Sequence, residues 1–271
     1  MAAPTPQKGR GALSNPEGRF ERVHKQVEED GWHTPPDPED EPAPIETILK
    51  PDPARTIISR NDSPDIPYSQ SINPYKGCEH GCVYCYARPS HAYLNLSPGL
   101  DFETRIFFKQ DAAALLDAEL RKPGYRPASI TLGSNTDPYQ PAERKLGITR
   151  SLLETLQRFD HPVSIITKSA LVTRDVDILA EMARKNLAAV FITLTTLDND
   201  LKRILEPRAA SPAARLRAME TLTKAGVPVG VMTAPIIPMI NDAEMERMLE
   251  LAAAAGALGA GYVLLRLPYQ L

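Results

Sequence analysis

Cysteine is scarce in this sequence, which has three cysteines among 271 residues, all of them between positions 78 and 85. So few thiols, placed so close together, offer no plausible disulfide framework. The opening residues also lack the apolar stretch of a secretory signal peptide. Both absences favour a reducing compartment, and we expect a cytoplasmic location.

Long apolar runs and an excess of either charge are missing as well. No run of about 18 apolar residues occurs, so we expect no membrane span and no membrane partner. The formal net charge is −3, which provides no global attraction to nucleic acid or to an anionic lipid surface. The hydrophobic fraction of 42% is nevertheless sufficient for a core in a chain of this length.

Residues 1–55 lack hydrophobic periodicity and are rich in proline and mixed charge, as in the stretch HTPPDPEDEPAPIE. Such a composition buries too little apolar surface to offset the entropy lost when a chain folds. We therefore predict a disordered or extended N-terminal tail over 1–55, with disorder up to Ile45. The core domain is predicted over 56–271.

From residue 65 onward, short β-rich runs alternate with helical stretches. The predicted strands cover 68–75, 129–133, 163–167, 189–195, 227–233 and 262–267, and the predicted helices cover 144–159, 175–185, 212–225 and 243–255. This alternation predicts parallel βαβ units, which right-handed crossovers curl into a partial (β/α)6 TIM-like barrel. No helix follows the sixth strand, so we expect the sequence to be truncated at its C-terminus.

What the sequence does contain is a cysteine motif, in which Cys78, Cys82 and Cys85 follow the first predicted strand with the spacing C-x3-C-x2-C. Three thiolates this close can bind three corners of a cubic [4Fe–4S] cluster, leaving one iron open to a small molecule. A Cys3His zinc site with His80 or His91 is an alternative, although zinc motifs usually carry a second ligand pair about 12–20 residues away. A non-catalytic iron–sulfur module for electron transfer or binding is another.

The wider stretch GCEHGCVYCYARPSHAYLNLSPGLDFETRIFFK resembles the radical S-adenosylmethionine (SAM) superfamily, and within it the spore-photoproduct-lyase-like branch often labelled DNA repair photolyase. The resemblance extends over residues 56–271. It implies that Cys78, Cys82 and Cys85 hold a [4Fe–4S] cluster whose fourth iron binds SAM. One electron would then cleave SAM to methionine and a 5′-deoxyadenosyl radical, which abstracts hydrogen from a substrate.

The same resemblance implies a reductant such as flavodoxin or ferredoxin, and lyase-like or other radical chemistry on an unknown substrate. A nucleic acid base or nucleotide is the substrate class that the branch favours. Tyr84 takes the family's aromatic position, near the adenine side of the cofactor.

Polar residues at the ends of later predicted strands are, by this resemblance, the candidates for binding SAM. The loop after strand 129–133 offers groups that suit the cofactor's ammonium, namely Ser134, Asn135, Thr136 and Asp137. Lys168, followed by Ser169, ends strand 163–167 and can pair with the cofactor carboxylate. Arg208 is a candidate for the same carboxylate or for a substrate anion.

Two further strand ends and an arginine group complete the candidates. Thr193 and Thr195 share one face of a strand and suit ribose hydroxyls, and the apolar run 234–242 suits adenine. Nucleic acid phosphates could meet four arginines, Arg203, Arg208, Arg215 and Arg217, although a solvated helix face explains the last two equally well.

The hydrogen-atom donor has to be something other than cysteine, because the cluster uses every thiol in the chain. We predict Tyr75 and Tyr139 as catalytic residues in this role, with Tyr86 as a further candidate.

Overall fold

The computed structural model of the protein describes residues 8–18, 20 and 45–267. Within these residues, ten β-strands and eight α-helices form an α/β fold. The strands are β1 (Ile48–Pro51), β2 (Ser59–Arg60), β3 (Gln70–Ile72), β4 (Tyr75–Lys76), β5 (Arg105–Phe108), β6 (Ile130–Leu132), β7 (Val163–Thr167), β8 (Ala188–Thr193), β9 (Val229–Ile236) and β10 (Gly259–Leu264). The helices are α1 (Leu100–Thr104), α2 (Ala112–Leu120), α3 (Glu143–Leu146), α4 (Ile148–Arg158), α5 (Val176–Arg184), α6 (Asn199–Leu205), α7 (Pro212–Lys224) and α8 (Met245–Ala254).

The larger sheet has seven strands in the described part of the chain, in the order β10-β9-β8-β7-β6-β3-β2. Strand β2 pairs antiparallel with β3, and the other neighbours pair in parallel. The order from β6 to β10 follows the chain, as successive right-handed βαβ crossovers require. The predicted α/β class with a mainly parallel sheet is therefore confirmed, and the sheet is open, with β10 and β2 at its edges.

The core lies between this sheet and the helices that cover it. In β7, the alternate residues Val163, Ile165 and Thr167 are buried, and the strand runs in register beside β8. On α4, Leu152 and Leu156 are fully buried. Each such leucine contributes about 1.5–3 kcal/mol relative to an exposed one, so burial of the apolar helix face keeps the crossover helix against the sheet.

A smaller sheet carries the segment that precedes the cysteines. Within the described residues it has three strands in the order β1-β5-β4, with β1 parallel and β4 antiparallel to β5. The sequence predicted neither β1 nor β5, because their runs are too short to show a period. The cysteine loop therefore follows β4 of the smaller sheet and not a strand of the larger one.

Two predicted elements are interrupted by residues with special backbones. The predicted strand 68–75 is split into β3 and β4 at Asn73 and Pro74, since proline has no N–H to continue a ladder. The predicted helix 144–159 is split at Gly147, which has a φ of 64° and ends α3 before α4 begins.

The predicted disorder is wrong for residues 8–18, whereas strand β1 lies in the part of the tail that was predicted as disordered or extended. Residues 8–18 pack on the domain, with Arg10 buried, and residues 48–51 form strand β1. Composition alone could not show this order, because the partners of Arg10 include a backbone oxygen 93 residues away. Residues 1–7, 19 and 21–44 lie outside the described residues, so the prediction for them stays a prediction.

No helix in the described residues is long and apolar enough to cross a bilayer.

Candidate active site

The cysteine loop, residues 77–85, is folded tightly against α1. Cys78 N donates to Phe102 O at 2.9 Å, and Val83 N donates to Leu205 O at 3.0 Å. Gly81 has a φ of 68°, and a Cβ there would lie 2.8 Å from Glu103 Oε2. Glycine at position 81 is thus required both by the left-handed backbone and by the close approach of a carboxylate.

All three cysteines line one cavity of about 580 Å³. The cavity lies at the carboxyl ends of the parallel strands, since most of its other walls come from the later residues of β7, β8, β9 and β10 and from the loops that follow β6 and β7. Residues 66–68 complete the lining. Ligand cavities usually occupy about 300–1,000 Å³, and sites in barrel-like α/β folds lie at this end of the strands. The cavity therefore lies at the strand ends from which the sequence analysis drew its candidate residues.

Burial of the three thiols favours the binding of positively charged iron ions. Cys78, Cys82 and Cys85 are free of disulfides. Burial raises the pKa of the Cys82 thiol to about 12, with the Glu206 carboxylate adding to the effect, and burial also raises the pKa values of Cys78 and Cys85. Buried thiolates here need cations such as iron to compensate their charge.

The positions of the thiols also concern the alternative of a Cys3His zinc site. Among the described residues, no three His, Cys, Asp or Glu side chains are gathered so that they could hold one metal ion. A four-iron cluster binds each cysteine to a different iron, so it needs thiols spread around a wider group. The described residues thus present no preformed Cys3His set around a single ion.

Asp137 ties the loop after β6 to the cysteine loop. Its carboxylate accepts hydrogen bonds from Thr167 Oγ1 at 2.7 Å and from Lys168 N at 2.8 Å, and it lies 3.3 Å from His80 Nδ1. Burial alone would raise the pKa of this carboxyl, but the His80 ring and these hydrogen bonds outweigh burial and lower the pKa to about 2. Asp137 is therefore an ionised anchor beside Cys78 at neutral pH.

Asn73 shapes the polar wall next to it, a role that the sequence analysis missed. Asn73 Nδ2 donates to Ser134 Oγ at 3.0 Å, and Asn73 Oδ1 accepts from Asn135 N at 2.9 Å. Ser134 and Asn135 line the cavity as predicted. Asn73 sits 61 residues before Ser134, so no local pattern links the two.

Tyr84 forms part of the cavity wall and is held from behind. Its hydroxyl donates to Glu206, which also accepts from Thr195 Oγ1 at 2.7 Å and from the Arg215 guanidinium. Lys168 Nζ lies 5.8 Å from the centre of the Tyr84 ring. Burial favours the neutral Glu206 carboxyl, but the charges of Arg215 and Lys168 prevail and lower its pKa to about 2.

Several predicted residues do not reach the cavity. Thr136 Oγ1 donates to Tyr75 O at 2.7 Å, and Ser169 caps the 3-10 turn that follows β7 by accepting from Leu171 N. Arg208 lies 3.1 Å from Glu79 Oε1 and pairs with it. These three side chains support the loops around the cavity instead of lining it.

The two predicted catalytic tyrosines are also placed elsewhere. The Tyr75 hydroxyl donates to Glu143, and the Tyr139 hydroxyl donates to Asp175 Oδ2 at 3.0 Å. Both side chains are 1% exposed and lie outside the cavity lining. Of the three tyrosines considered as donors, Tyr86 is the one that lines the cavity.

The remaining sequence candidates also divide into residues that line the cavity and residues that do not. Thr193 lines the cavity, whereas Thr195 faces Glu206. Of the run 234–242, Ala234 and Pro235 line it. His80 lines it as well, but His91 is engaged with Arg105 O at 3.0 Å.

The sequence analysis missed two parts of the lining, which are residues 66–68 and 263–266. Both are apart from any polar motif, and only the folded chain brings them to the cysteines.

Comparison with known proteins agrees with this site. The model of the radical SAM superfamily matches residues 72–252. An uncharacterized protein of Mycobacterium tuberculosis is 39% identical over 196 residues, which cover 72% of this chain and 58% of that protein. An uncharacterized protein of Methanocaldococcus jannaschii is 30% identical over 173 residues, covering 64% of this chain and 62% of that protein. The chain thus spans less than two thirds of the length of these relatives.

Solved structures show the same fold. A spore photoproduct lyase mutant with bound AdoMet and dinucleoside spore photoproduct aligns with a TM-score of 0.60 and 16% identity, covering 82% of this chain and 62% of that one. Another spore photoproduct lyase mutant aligns with a TM-score of 0.58 and 18% identity, covering 76% and 57% of the two chains.

The fold and the cavity define an α/β protein in which three cysteines line one cavity at the strand ends. This chain belongs to the radical SAM superfamily. Its cofactors are accordingly a [4Fe–4S] cluster and SAM.

Proposed function

We propose that this protein is a radical SAM enzyme whose cluster is held by Cys78, Cys82 and Cys85. The observation that carries the proposal is that all three thiols line one cavity of about 580 Å³ at the carboxyl ends of the strands. When bound, the reduced cluster supplies the electron that cleaves SAM to methionine and a 5′-deoxyadenosyl radical, which takes a hydrogen atom from the substrate.

The side chains around the thiols have separate roles in this proposal. Ser134 and Asn135 present polar atoms to the ammonium group of SAM, and Asp137 keeps their loop beside the cysteines. Lys168 presents its ammonium to the cofactor carboxylate, because it is the cation that both lines the cavity and faces the Tyr84 ring. Tyr84 forms an aromatic wall on the adenine side.

The rest of the fold is proposed to exclude water from the site and to hold the substrate in reach of the radical. In our proposal the open parallel sheet curves as a partial (β/α)6 barrel around the cavity, with apolar residues of β9 and of the segment after β10 on its far side. An apolar lining excludes water from a reactive radical and holds the substrate in reach of it.

For the substrate we propose a nucleic acid base or nucleotide, on which the enzyme acts in a lyase-like or other radical reaction. Support comes from the fold shared with a spore photoproduct lyase that has a dinucleoside photoproduct bound. A low-potential carrier such as flavodoxin or ferredoxin is the proposed reductant. Failure to bind DNA or RNA even at low salt would exclude this substrate class while leaving the SAM chemistry standing.

Anaerobic cleavage of SAM tests the enzyme proposal directly. The protein is reconstituted with iron and sulfide, reduced, and given SAM, and 5′-deoxyadenosine is then measured. We expect product from the wild type and none from Cys82→Ala, because loss of one of three thiolates leaves the cluster without a full set of ligands.

The matched control is Thr195→Val, which changes a buried side chain outside the cavity lining and leaves all three thiols in place. A protein that binds a stable cluster but forms no 5′-deoxyadenosine would contradict the proposal. That result would favour the alternative function, a non-catalytic iron–sulfur module for electron transfer.

A further inference from the structure

Residues 10–16, which we call the N-terminal arm, lie against the cysteine loop. The radical SAM family model begins at residue 72, so this arm is outside the part of the chain that the family explains. A Cβ at Gly11 would lie 1.8 Å from Gly81 O, so the arm backbone touches the loop between the first two cysteines. The contact leaves no room for a side chain at position 11.

A buried carboxylate joins the arm to the loop. Glu103 is fully buried; its Oε2 accepts from Gly11 N at 2.9 Å, and its Oε1 accepts from Ala12 N at 2.8 Å. Oε1 also accepts from Arg88 Nη2 at 2.5 Å, and Arg88 donates to Cys82 O from Nη2 at 2.9 Å and from Nε at 3.1 Å. A continuous chain of charge-assisted hydrogen bonds thus runs from the arm to the carbonyl of a cluster ligand.

A second connection reaches the other side of the loop. Arg10 is 8% exposed, and its guanidinium donates to Glu103 O at 2.9 Å, to Ile45 O at 2.6 Å and to Thr47 Oγ1 at 3.1 Å. Thr47 Oγ1 in turn donates to Glu79 Oε1 at 2.7 Å. Glu79 directly follows Cys78, so Arg10 supports the loop from its first cysteine.

The far end of the arm is fastened independently of the loop. Leu100 N donates to Ser14 O at 3.1 Å, and Ser97 Oγ donates to Pro16 O at 2.5 Å. Asn15 and Asp101 exchange two hydrogen bonds, at 2.8 and 3.2 Å. The arm is therefore anchored to the segment 97–101 and presses its first residues onto Gly81.

We propose that the N-terminal arm positions the cysteine loop for the cluster, with Arg10 and Glu103 as positioning residues. A buried Glu103 needs its donors, and two of them are arm amides. Pushing the arm away from Gly81 would therefore remove two donors from Glu103 and weaken its hold on Arg88, whose guanidinium donates to the Cys82 carbonyl. The proposal rests on the cysteine loop being the cluster site, and it does not depend on the substrate.

Hydrogen exchange on the metal-free chain tests the proposal without any cluster chemistry. We expect Gly11→Ala to speed the exchange of the amides in residues 78–85 by about fivefold, the equivalent of one lost hydrogen bond. Exchange in β7 and β8 and the unfolding temperature are expected to stay at wild-type values. The matched control is Gly259→Ala, because a Cβ at Gly259 meets nothing within 4 Å.

Arg10 variants and the protein reconstituted with its cluster provide two further measurements. Arg10→Ala is expected to speed loop exchange, and Arg10→Lys to speed it less, because lysine keeps the charge but cannot donate as a fork. After reconstitution, Gly11→Ala is expected to lose iron to a chelator several-fold faster than wild type and to show a shifted cluster midpoint potential.

Two outcomes would overturn the proposal. Wild-type exchange in 78–85 beside fast exchange in the arm would mean that the arm only covers the surface. Faster exchange spread evenly over β7 and β8 would mean that the arm serves global stability alone. Neither outcome depends on SAM cleavage, so a failure here is distinct from a failure of the proposed enzyme activity.

Discussion

At the scale of single residues, Glu206 binds three side chains at the site, a role that its position in the sequence does not indicate. It is 1% exposed, and it receives hydrogen bonds from Tyr84, Thr195 and Arg215. Removing one partner of a buried ion pair typically costs about 3–5 kcal/mol, because the other charge stays buried and unpaired. Substituting Glu206 or Arg215 would thus confound folding with function, whereas the neutral partners can be changed one at a time.

Tyr84→Phe removes the hydroxyl of Tyr84 and keeps its aromatic ring, so the two contributions can be measured apart. We expect the KM for SAM to rise about fivefold, the value of one hydrogen bond of about 1 kcal/mol, because the ring loses its link to Glu206 and is no longer held in place. The kcat and the iron content are expected to change little, since the thiols are untouched. Steady-state kinetics of 5′-deoxyadenosine formation at varied SAM concentration measure both constants.

Thr195→Val is the matched control for Tyr84→Phe, because it removes the other neutral donor to the same Glu206 oxygen. It keeps the Tyr84 link, so its KM for SAM is expected to remain near the wild-type value. Equal rises in KM for the two variants would show that Glu206, and not the placement of the Tyr84 ring, governs SAM binding.

At the scale of elements, His161 fastens the amino ends of the strands, opposite the cavity. Its side chain is buried at the start of β7, with Nδ1 3.0 Å from Pro162 O and Nε2 2.8 Å from the Tyr125 hydroxyl. The Tyr125 hydroxyl donates its one hydrogen to Gln70 Oε1 at 2.9 Å, so His161 Nε2 is the donor to the Tyr125 oxygen. Burial lowers the pKa of His161 below its ordinary value of 6.5, so the folded chain holds the ring neutral.

This burial predicts a loss of stability in mild acid. Below pH 6.5 the unfolded chain binds a proton on this ring, whereas the folded chain resists it. The contribution of His161 is therefore complete above the unfolded pKa and is lost as the pH falls toward the lower folded pKa. Urea unfolding at about pH 7.5 and about pH 5.5 is expected to show a larger fall in the free energy of unfolding for wild type than for His161→Gln. An equal fall in both proteins would contradict the assignment.

The elements show why sequence predicts one part of this protein and not another. Strand β7 is predicted with the bounds that the structure has, because it is a short run rich in β-branched residues between Pro162 and Lys168. The three cysteines are predicted as a site because all their information lies within eight residues. The N-terminal arm, Asn73 and the segment 263–266 are not predictable in this way, since their partners are distant in sequence and only the fold brings them together.

At the scale of the whole molecule, the charge is not arranged for general binding of nucleic acid. The net charge is −3. Three of the four arginines considered for phosphate contacts are already paired, Arg203 with Asp200, Arg208 with Glu79 and Arg215 with Glu206. The prediction is wrong for Arg215, whose side chain is 1% exposed, and it stays a prediction for Arg203 and Arg208. We expect a nucleic acid substrate to be recognised at the cavity, where Lys168 and Arg266 are the lining lysine and arginine.

Salt dependence distinguishes recognition at the cavity from general attraction. Lys168 is assigned to the SAM carboxylate, so a single strand held at the cavity releases a counterion at Arg266 and shows a slope of about −0.7 for log affinity against log salt. A basic surface gives a much steeper slope. For a short single-stranded oligonucleotide we expect the shallow slope, measured by fluorescence anisotropy over a salt series.

Paired arginine variants determine where those contacts lie. Arg266→Gln is expected to reduce the slope by about 0.7, the value of one phosphate contact on a single strand. Arg217→Gln, an exposed change on α7 away from the cavity lining, is expected to leave the slope unchanged. A steep slope to which both arginines contribute equally would mean that the helix surface binds the strand. In that case the substrate of the cavity would not be a nucleic acid bound at the cavity mouth.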